Sequence, residues 1–536
     1  MVKNKRLFPS IYIVGLIFLI LFYFVNNYIW FKLNKFPYTG CMAFHMVSCL
    51  KYLDIVSSFK PDFLWNILEV DFFYPPLFPF ISSLACLIFG RSALIMIMSN
   101  LIFVAGTFIS LYLIGRKIGD IRIGILAAFI LSFYPVYSYL SRAFLLENAL
   151  CFMVTSGILF LLYTEGFSKI IPSFILGLLF GLGMLTKQTY IVFMAGPVFF
   201  VFFTSYFNSL SGSRRKILVN LFLSLFIGIC ISAPWYLTHM RQMFPVLTKV
   251  VSDSGLVPYD MKWFSWKSIF FYLDMLINEQ ITLFFFVLFI LTLLRLLNKK
   301  VRISYVFLFI FWVLIPHIAL TLFKNKFFYY TLPCLPAMAL VTSCGLLEVR
   351  RVYLRRVVTA AVILIGFSYF FASSYLPGDN YKSILSIGRL KLRFLPLGMR
   401  RISLSYSPLG GDWKSREIVE KVVFSAKGKP VMVGVYNIDL NVLGKQGGII
   451  TDNYICADFD YFNYNFLLNK IRNCQIVDLL HPENYDFAKR KVAYIISSIL
   501  LETNTVDGLS GAIYSLFDTF VMPDGSKVYL YKANNL

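Results

Sequence analysis

Charged side chains are scarce in this sequence. Only 14% of its 536 residues are Asp, Glu, Lys or Arg, while 58% are hydrophobic. A soluble protein of this length would have to hide more apolar surface than its core can hold, so the balance excludes an ordinary soluble domain. Acids are the rarer sign, 27 against 50 Lys and Arg. The nine cysteines include no Cys-x-x-Cys pair and no zinc-type spacing, which excludes zinc-ribbon and dithiol redox motifs. The first apolar run lacks a small-residue cleavage site and reads as a retained anchor, not a removed signal peptide.

What is present is a set of long uncharged runs. Ile11–Val25, Ile303–Phe323 and Val357–Phe371 carry no Asp, Glu, Lys or Arg. Runs of about 17–25 apolar residues match the hydrocarbon thickness of a bilayer, and shorter ones are helped by flanking aromatics. Phe and Tyr number 57 and 33, as rings packed in lipid and at its interfaces require. The net charge of +23 does not point to nucleic acid, because the basic residues sit in short loops between the apolar runs. Arg214-Arg215-Lys216, Lys299-Lys300-Val301-Arg302, and Arg350-Arg351 with Arg355-Arg356 are examples, and Lys3, Lys5 and Arg6 at the N-terminus match them. This is the distribution of cytoplasmic loops under the positive-inside rule.

Along the chain a first helix is expected at 8–25, then a loop of mixed polarity at 26–73 with Asp54, Asp62, Glu69 and Asp71. Apolar segments follow at 74–90, 93–115, 123–140, 145–164, 171–186, 189–207, 217–233, 281–297, 303–323, 328–347 and 356–373, with one other long connection, 234–268. The expected fold class is a polytopic α-helical membrane protein of about 11–13 transmembrane helices over residues 1–373, with outer loops 26–73 and 234–268. Beyond 374 charge, Gly and Asn return, and 374–536 reads as a soluble α/β domain. Pro430–Tyr436, Val492–Ser498 and Val528–Tyr531 read as strands, with Met522-Pro523-Asp524-Gly525 as a turn before the last. Tyr464–Asn473 and Asn484–Arg490 read as helices, and Cys456 and Cys474 form a disulfide only in an oxidising compartment.

Placing the 348–356 basic loop inside puts the C-terminal domain outside, and the remaining loops alternate consistently back to 116–122. Arg142, Glu147, Lys187, Trp235, Arg241, Lys324 and Lys326 then gather on the outer side. Counting forward from the N-terminus adds His45, Glu69 and Asp71. The two counts meet with one crossing too many between 74 and 115: either 74–90 is re-entrant or a basic loop breaks the rule. Ionisable groups at membrane depth are costly unless they are paired or line a wet cavity, so this group is a candidate site. Outer-side lysines run against the positive-inside preference, and an anionic ligand supplies a reason for them.

Tyr74-Pro75-Pro76-Leu77 resembles the YPPL element of the GT-C superfamily of polyprenyl-phosphate-sugar glycosyltransferases, which includes protein O-mannosyltransferases and lipid A aminoarabinose transferases. Tyr134-Pro135, with Ser141-Arg142 and Glu147, is similar to their P…sR…D stretch, with Glu in place of Asp. Gly181-Leu182-Gly183-Met184-Leu185-Thr186-Lys187 is similar to GLxxLTK, and Ala233-Pro234-Trp235-Tyr236 to APWY. Lys326 to Pro336 is similar to KxxRYxLPxxP, with Tyr329 in place of Arg. The resemblance covers residues 8–350. One position departs from it: the DxxxH element of the first outer loop reads Cys41-Met42-Ala43-Phe44-His45, with a thiol where the carboxylate belongs.

The resemblance implies an inverting transfer of a monosaccharide from a polyprenyl-phosphate donor to an envelope lipid, glycan or protein acceptor on the outer face of the membrane. It implies an acid acting as general base, for which Glu147, Asp71 and Glu69 are the candidates beside His45. Arg142, Lys187, Lys324, Lys326, Tyr329 and Tyr74 are the candidates for holding the donor and its phosphate, in some members with a divalent metal ion. Cys41 keeps a second reading open, an inactive relative that binds polyprenyl lipids or a partner enzyme. A lipid-linked sugar transporter predicts internal repeats and midplane charges, and the sequence shows neither. The compact loops, and a C-terminal Ala533–Leu536 unlike a retention signal, point to a bacterial inner membrane with the C-terminal domain periplasmic.

Overall fold

The computed structural model describes residues 7–35, 41–252, 265–300, 302–324, 326–375, 385–387, 390–392, 408, 410, 414–427, 429–436, 474–478, 492–497, 514–521 and 527–534. The helices are α1 (Leu7–Leu33), α2 (Cys41–Ser58), α3 (Phe63–Leu68), α4 (Leu77–Phe89), α5 (Ala93–Lys117), α6 (Ile121–Phe133), α7 (Pro135–Ser141), α8 (Glu147–Tyr163), α9 (Ile170–Met184) and α10 (Tyr190–Phe207). After them come α11 (Ser211–Ser252), α12 (Trp266–Ile269), α13 (Phe271–Met275), α14 (Thr282–Lys299), α15 (Ile303–Thr321), α16 (Leu335–Leu347), α17 (Val352–Tyr375) and α18 (Ser415–Ala426). The chain divides into two compact units, one of residues 1–29, 60–82 and 97–407, the other of 30–59, 83–96 and 408–536.

Among the described residues seven helices are long and apolar enough to cross a membrane: α1, α5, α10, α11, α14, α15 and α17. The pair α6 and α7 makes an eighth if it is one broken span. Its 78° bend has a local cause. Pro135 opens α7 without an N–H to donate, and Tyr134 before it is held extended at φ −68°, ψ 122°. Four shorter apolar helices (α4, α8, α9 and Leu332–Leu347) complete the set. The chain is a multi-pass membrane protein. Its outward faces fit lipid: Ile11, Val14, Phe18, Leu21 and Val25 recur along α1 and are all exposed.

The first unit has two polar ends. At one, Lys117 and Lys169 both pair with Glu165 at 2.9 and 2.8 Å, Arg122 pairs with the α6 cap Asp120 at 2.7 Å, and Arg302 with Glu348 at 3.2 Å. Asn220 donates to the carbonyl of Phe167 there, at 2.7 Å. These loops, 116–122, 165–170, 207–216, 298–302 and 348–356, are those the basic pattern put on one side. The surplus crossing disappears because α4 doubles back. Phe78 packs on Phe103, with ring centroids 5.8 Å apart, and Ser99 bonds Ser82 at 2.8 Å. The start of α4 therefore lies antiparallel to the early turns of α5, and α5 alone carries the chain to Lys117.

Two stretches differ from expectation. Residues 26–73, read as a loop, carry the end of α1, the 18-residue α2 and the short α3. Residues 234–252, read as the start of an outer loop, continue α11 as helix through Pro234 and Pro245. Trp235, His239 and Met243 give the reason, since they recur every fourth residue and are all buried, one packed face of a helix.

In the second unit strands β3 (Val431–Tyr436), β4 (Cys474–Asp478), β5 (Val492–Ser497), β6 (Tyr514–Val521) and β7 (Lys527–Ala533) form one sheet in the order β4-β3-β5-β7-β6, numbered after a separate short hairpin, β1 (Leu385–Ile387) and β2 (Leu390–Leu392), in the first unit. The three expected strands are present, and β6 overlaps Thr519–Met522, which is also strand-like in sequence; β4, the earlier part of β6 and α18 were not foreseen. β3 runs parallel to β4 and β5, and β7 antiparallel to β5 and β6. Ile418, Val419 and Val422 of α18 are buried, as are Val433, Val435, Ile495, Ile496, Val528 and Leu530 of the strands. The expected helices 464–473 and 484–490, the turn 522–525 and Cys456 lie outside the described residues.

Candidate active site

Five separate segments meet at the end of the first unit opposite the basic loops. The amide of Leu77, closing Tyr74-Pro75-Pro76-Leu77, donates to the carbonyl of Leu185 at 3.0 Å. Gln188 donates to the carbonyl of Phe73. Trp235 Nε1, fully buried, donates to the carbonyl of Asp71 at 3.3 Å, and the Tyr236 hydroxyl to that of Met184 at 2.9 Å. Lys187 Nζ pairs with Glu147 Oε1 at 2.7 Å and lies 4.8 Å from the ring centre of Tyr330. The segments singled out by resemblance are thus joined by contacts between residues far apart in the chain.

Glu147 opens α8, where the unpaired amides of a helix N-terminus favour a negative charge. Its side chain is 5% exposed and that of Lys187 12%. A buried pair of this kind holds each charge in place and is strongly destabilised by removing one partner. Lys187 follows α9 in a tight turn, its amide donating to Gly183 at 3.2 Å. Gly183 has no room for a side chain there, since a Cβ would lie 2.4 Å from the Tyr190 ring. Next to the pair Asn148 is 1% exposed, and both polar atoms of its amide are without a hydrogen bond among the described residues.

Asp71 is buried and does structural duty with one oxygen. Its Oδ1 accepts from the amides of Phe73 at 2.8 Å and Tyr74 at 3.0 Å, a turn that presents Tyr74 and the two prolines. Glu69 ends α3 and is exposed. Tyr74 and Tyr329 are half-buried; Tyr329 stacks on Phe327 at 5.3 Å. His45 and Cys41 stand on α2 in the other unit, His45 buried and Cys41 exposed.

Arg142 takes other partners than the neighbouring acid. It ends α7, 2% exposed, with Nε donating to Asn27 Oδ1 at 3.1 Å and Nη2 to Ser138 and Ser374 at 3.1 and 2.7 Å. It therefore ties α7 to α1 and α17, while Glu147 pairs with Lys187, forty positions on. The segment between them is held by Asn100, whose amide donates to the carbonyls of Leu140 and Ala143, both at 3.0 Å.

Lys326 is 1% exposed, and its ammonium caps the end of α15, donating to Thr321 and Phe323 carbonyls at 2.5 Å each. Burial pulls its pKa down to about 8. Lys324 is half-buried in the same loop. Gln280 fixes that loop from a π-helical turn, Leu276–Gln280, donating to the Phe328 carbonyl and to Thr331 Oγ1 at 2.7 Å. Asn100, Asn148, Gln188 and Gln280 escaped sequence reasoning because an isolated amide in an apolar run carries no motif. Among the described residues no three His, Cys, Asp or Glu side chains converge in a way that would hold a metal ion.

The sequence matches the family profile described as dolichyl-phosphate-mannose-protein mannosyltransferase over residues 74–236, from the YPPL segment to the end of APWY. No curated protein matches the sequence. Among solved structures it is similar to ArnT from Cupriavidus metallidurans bound to undecaprenyl phosphate, at 13% identity and a TM-score of 0.57, covering 99% of each chain. Against the same protein in the apo state the figures are 12%, 0.59 and 98% of each chain. It is also similar to the oligosaccharyltransferase of Archaeoglobus fulgidus in the apo form, at 12% identity and 0.51, covering 99% of this chain and 75% of that one. The chain shares its fold with ArnT and with the archaeal oligosaccharyltransferase.

Proposed function

We propose that this chain, with its GT-C fold and the matched segment 74–236, is a membrane glycosyltransferase that moves a monosaccharide from a polyprenyl-phosphate donor to an envelope lipid, glycan or protein. The observation that carries the reading is the buried Glu147–Lys187 pair at the meeting point of the five segments. In this mechanism the donor phosphate draws the Lys187 ammonium to its oxygens, which frees the Glu147 carboxylate. Glu147 then takes the proton of the acceptor hydroxyl while that oxygen attacks the anomeric carbon from the side opposite the phosphate. The bond from the anomeric carbon to the phosphate oxygen breaks, configuration inverts, and polyprenyl phosphate leaves with its charge held by Lys187 and neighbouring cations. Asp71 is the alternative base. The unbonded amide of Asn148 is available to a donor hydroxyl, since a buried amide left unsatisfied costs about 1–3 kcal/mol.

The test is release of polyprenyl phosphate from a panel of polyprenyl-phosphate sugars by purified protein in lipid. Asp71→Asn keeps an oxygen to accept from the Phe73 and Tyr74 amides, so loss of turnover in that variant alone would move the base from Glu147 to Asp71. A second reading, a binding relative without transfer chemistry, rests on Cys41 in the DxxxH position. It prevails if donor lipid binds but neither the native protein nor Cys41→Asp turns it over.

Donor binding is expected to be pH-dependent through Lys326. Its pKa of about 8 lies below the ordinary lysine value, so the cation is largely present at neutral pH and is lost as pH rises through about 8. Affinity for the donor lipid should fall between about pH 7 and about pH 9 by up to about an order of magnitude, as the loop that sets Tyr330 beside Lys187 loses its charge-assisted tie to the end of α15. Lys326→Met should bind more weakly at neutral pH and lose that dependence. Titration of donor affinity against pH for both proteins checks it.

A further inference from the structure

At the basic end of the first unit Lys117, Lys169, Arg122 and Arg302 pair with acids. Arg214, Arg215 and Lys216, in the opening turns of α11, have no ion pair among the described residues. A helix opens on the positive end of its dipole, where an anion is favoured and three cations are not. Arg214 Nε donates to the carbonyls of Tyr206 and Ser209, both at 3.2 Å, and the guanidinium lies 5.3 Å from the Tyr206 ring centre. It is thereby fixed across the ends of α10 and α11, with its two terminal nitrogens unbonded among the described residues.

Between those two helices lies a cleft of about 180 Å³. Two close helix contacts open it. A Cβ on Gly177 would stand 2.7 Å from the Ser224 carbonyl oxygen, and one on Gly196 2.8 Å from that of Phe311. So α11 is drawn to α9 and α10 to α15, and the gap is left between them. Phe167 and Phe180 floor it; Ala195 and Val198 of α10 and Leu221 and Leu225 of α11 wall it. Its one lining hydroxyl, on Ser224, is spent on the Ser173 carbonyl at 2.7 Å. Such a lining gives water no partners and suits hydrocarbon. Beside the walls Phe199 and Phe222 are exposed, so the cleft borders the lipid-facing surface. Arg214 shares one face of α11 with Leu221 and Leu225, about 10 Å along the axis from Leu221.

We propose that the cleft and the three cations form one binding site for an anionic phospholipid of the leaflet at the basic end. The phosphate meets Arg214, Arg215 and Lys216, and one acyl chain lies between α10 and α11. Basic pockets between membrane helices recognise lipid headgroups in this way. A zwitterionic lipid fits the cleft equally well but brings its own cation to the rim, so charge decides the occupant. The site uses none of the residues assigned to sugar transfer, whose ion pair stands at the opposite end of the unit.

The experiment places the full chain in phosphatidylcholine bilayers holding a trace of phosphatidylglycerol with a photoreactive acyl chain, or of phosphatidylcholine with the same chain. Labelled peptides are mapped by mass spectrometry. The glycerol lipid should label both cleft walls, in α10 and α11, at least about fivefold more than the choline lipid, and each cation neutralised should reduce that excess by about fivefold. Arg214→Gln combined with Arg215→Gln and Lys216→Gln should therefore bring it to the choline level. Ala195→Trp, on an exposed position of the wall, should fill the cleft and remove the label from the Leu221 and Leu225 peptide. Equal labelling of the native protein by the two lipids would overturn the proposal, and that comparison needs no variant. So would an excess that survives Ala195→Trp, since a general attraction of anionic lipid to the basic end does not need the cleft.

Discussion

Glu147→Gln is expected to lower sugar transfer by ~10²–10⁴-fold, the usual contribution of a positioned general base. Gln keeps an oxygen for the Lys187 hydrogen bond at 2.7 Å, so the change removes charge and proton affinity with little loss of shape. The rival explanation is that the pair only holds the fold. Breaking a buried pair by deleting one partner costs about 3–5 kcal/mol, which by itself would lower activity through unfolding. The double variant Glu147→Gln with Lys187→Met separates the two. Neutralising both ends of a buried pair is often neutral or stabilising, so the double variant should recover the thermal stability lost in Lys187→Met. If it also recovered turnover, the pair would be structural and the proposed mechanism would fail. Restored stability with turnover still absent supports it.

Gly181→Leu is expected to lower the melting temperature and abolish transfer together. Gly181 lies inside α9, where Ala is more favourable than Gly by about 1 kcal/mol on helix propensity alone. Space decides against propensity here. A Cβ on Gly181 would stand 2.6 Å from Ile231 Cβ and 3.0 Å from the Gly228 carbonyl oxygen. Gly177 and Gly228 show the same crowding, at 2.7 Å from the Ser224 oxygen and 2.5 Å from Phe180. The two helices touch backbone to backbone through small residues, a packing that suits helices in lipid. A Leu would drive α9 off α11 at a cost of about 1–3 kcal/mol or more. Because Lys187 follows the end of α9, the shift would also carry the ammonium away from Glu147. Gly212→Ala, on a glycine with nothing within 4 Å, is the control and should leave both readings unchanged.

The membrane character, the strand-bearing C-terminal region and the segments that meet around Glu147 and Lys187 were legible in the sequence, because each depends on local composition or on a short motif. The broken helix at Tyr134-Pro135 was written in a single proline but was overridden by the apolar run through it. What stayed hidden depends on tertiary contacts. No spacing rule links Glu147 to Lys187 rather than to Arg142, five residues away. That choice is made by α7, which turns Arg142 toward Asn27 and Ser374. Nor does composition tell a helix that doubles back from one that crosses: α4 is as apolar as its neighbours, and only the Phe78–Phe103 and Ser82–Ser99 contacts give its direction. Pro234 suggested a loop for the same kind of reason. A proline is a breaker in water-facing helices, and α11 absorbs it because its buried stripe continues on both sides.

The sheet order β4-β3-β5-β7-β6 has a consequence for biosynthesis. β7, at residues 527–533, emerges from the ribosome after β5 and β6, yet it sits between them, pairing with both. Until it arrives, each of those strands presents a bare row of amides and carbonyls, the kind of edge that invites aggregation or proteolysis. A chain cut before residue 527 would therefore leave two open strand edges in this domain, the two that β7 closes.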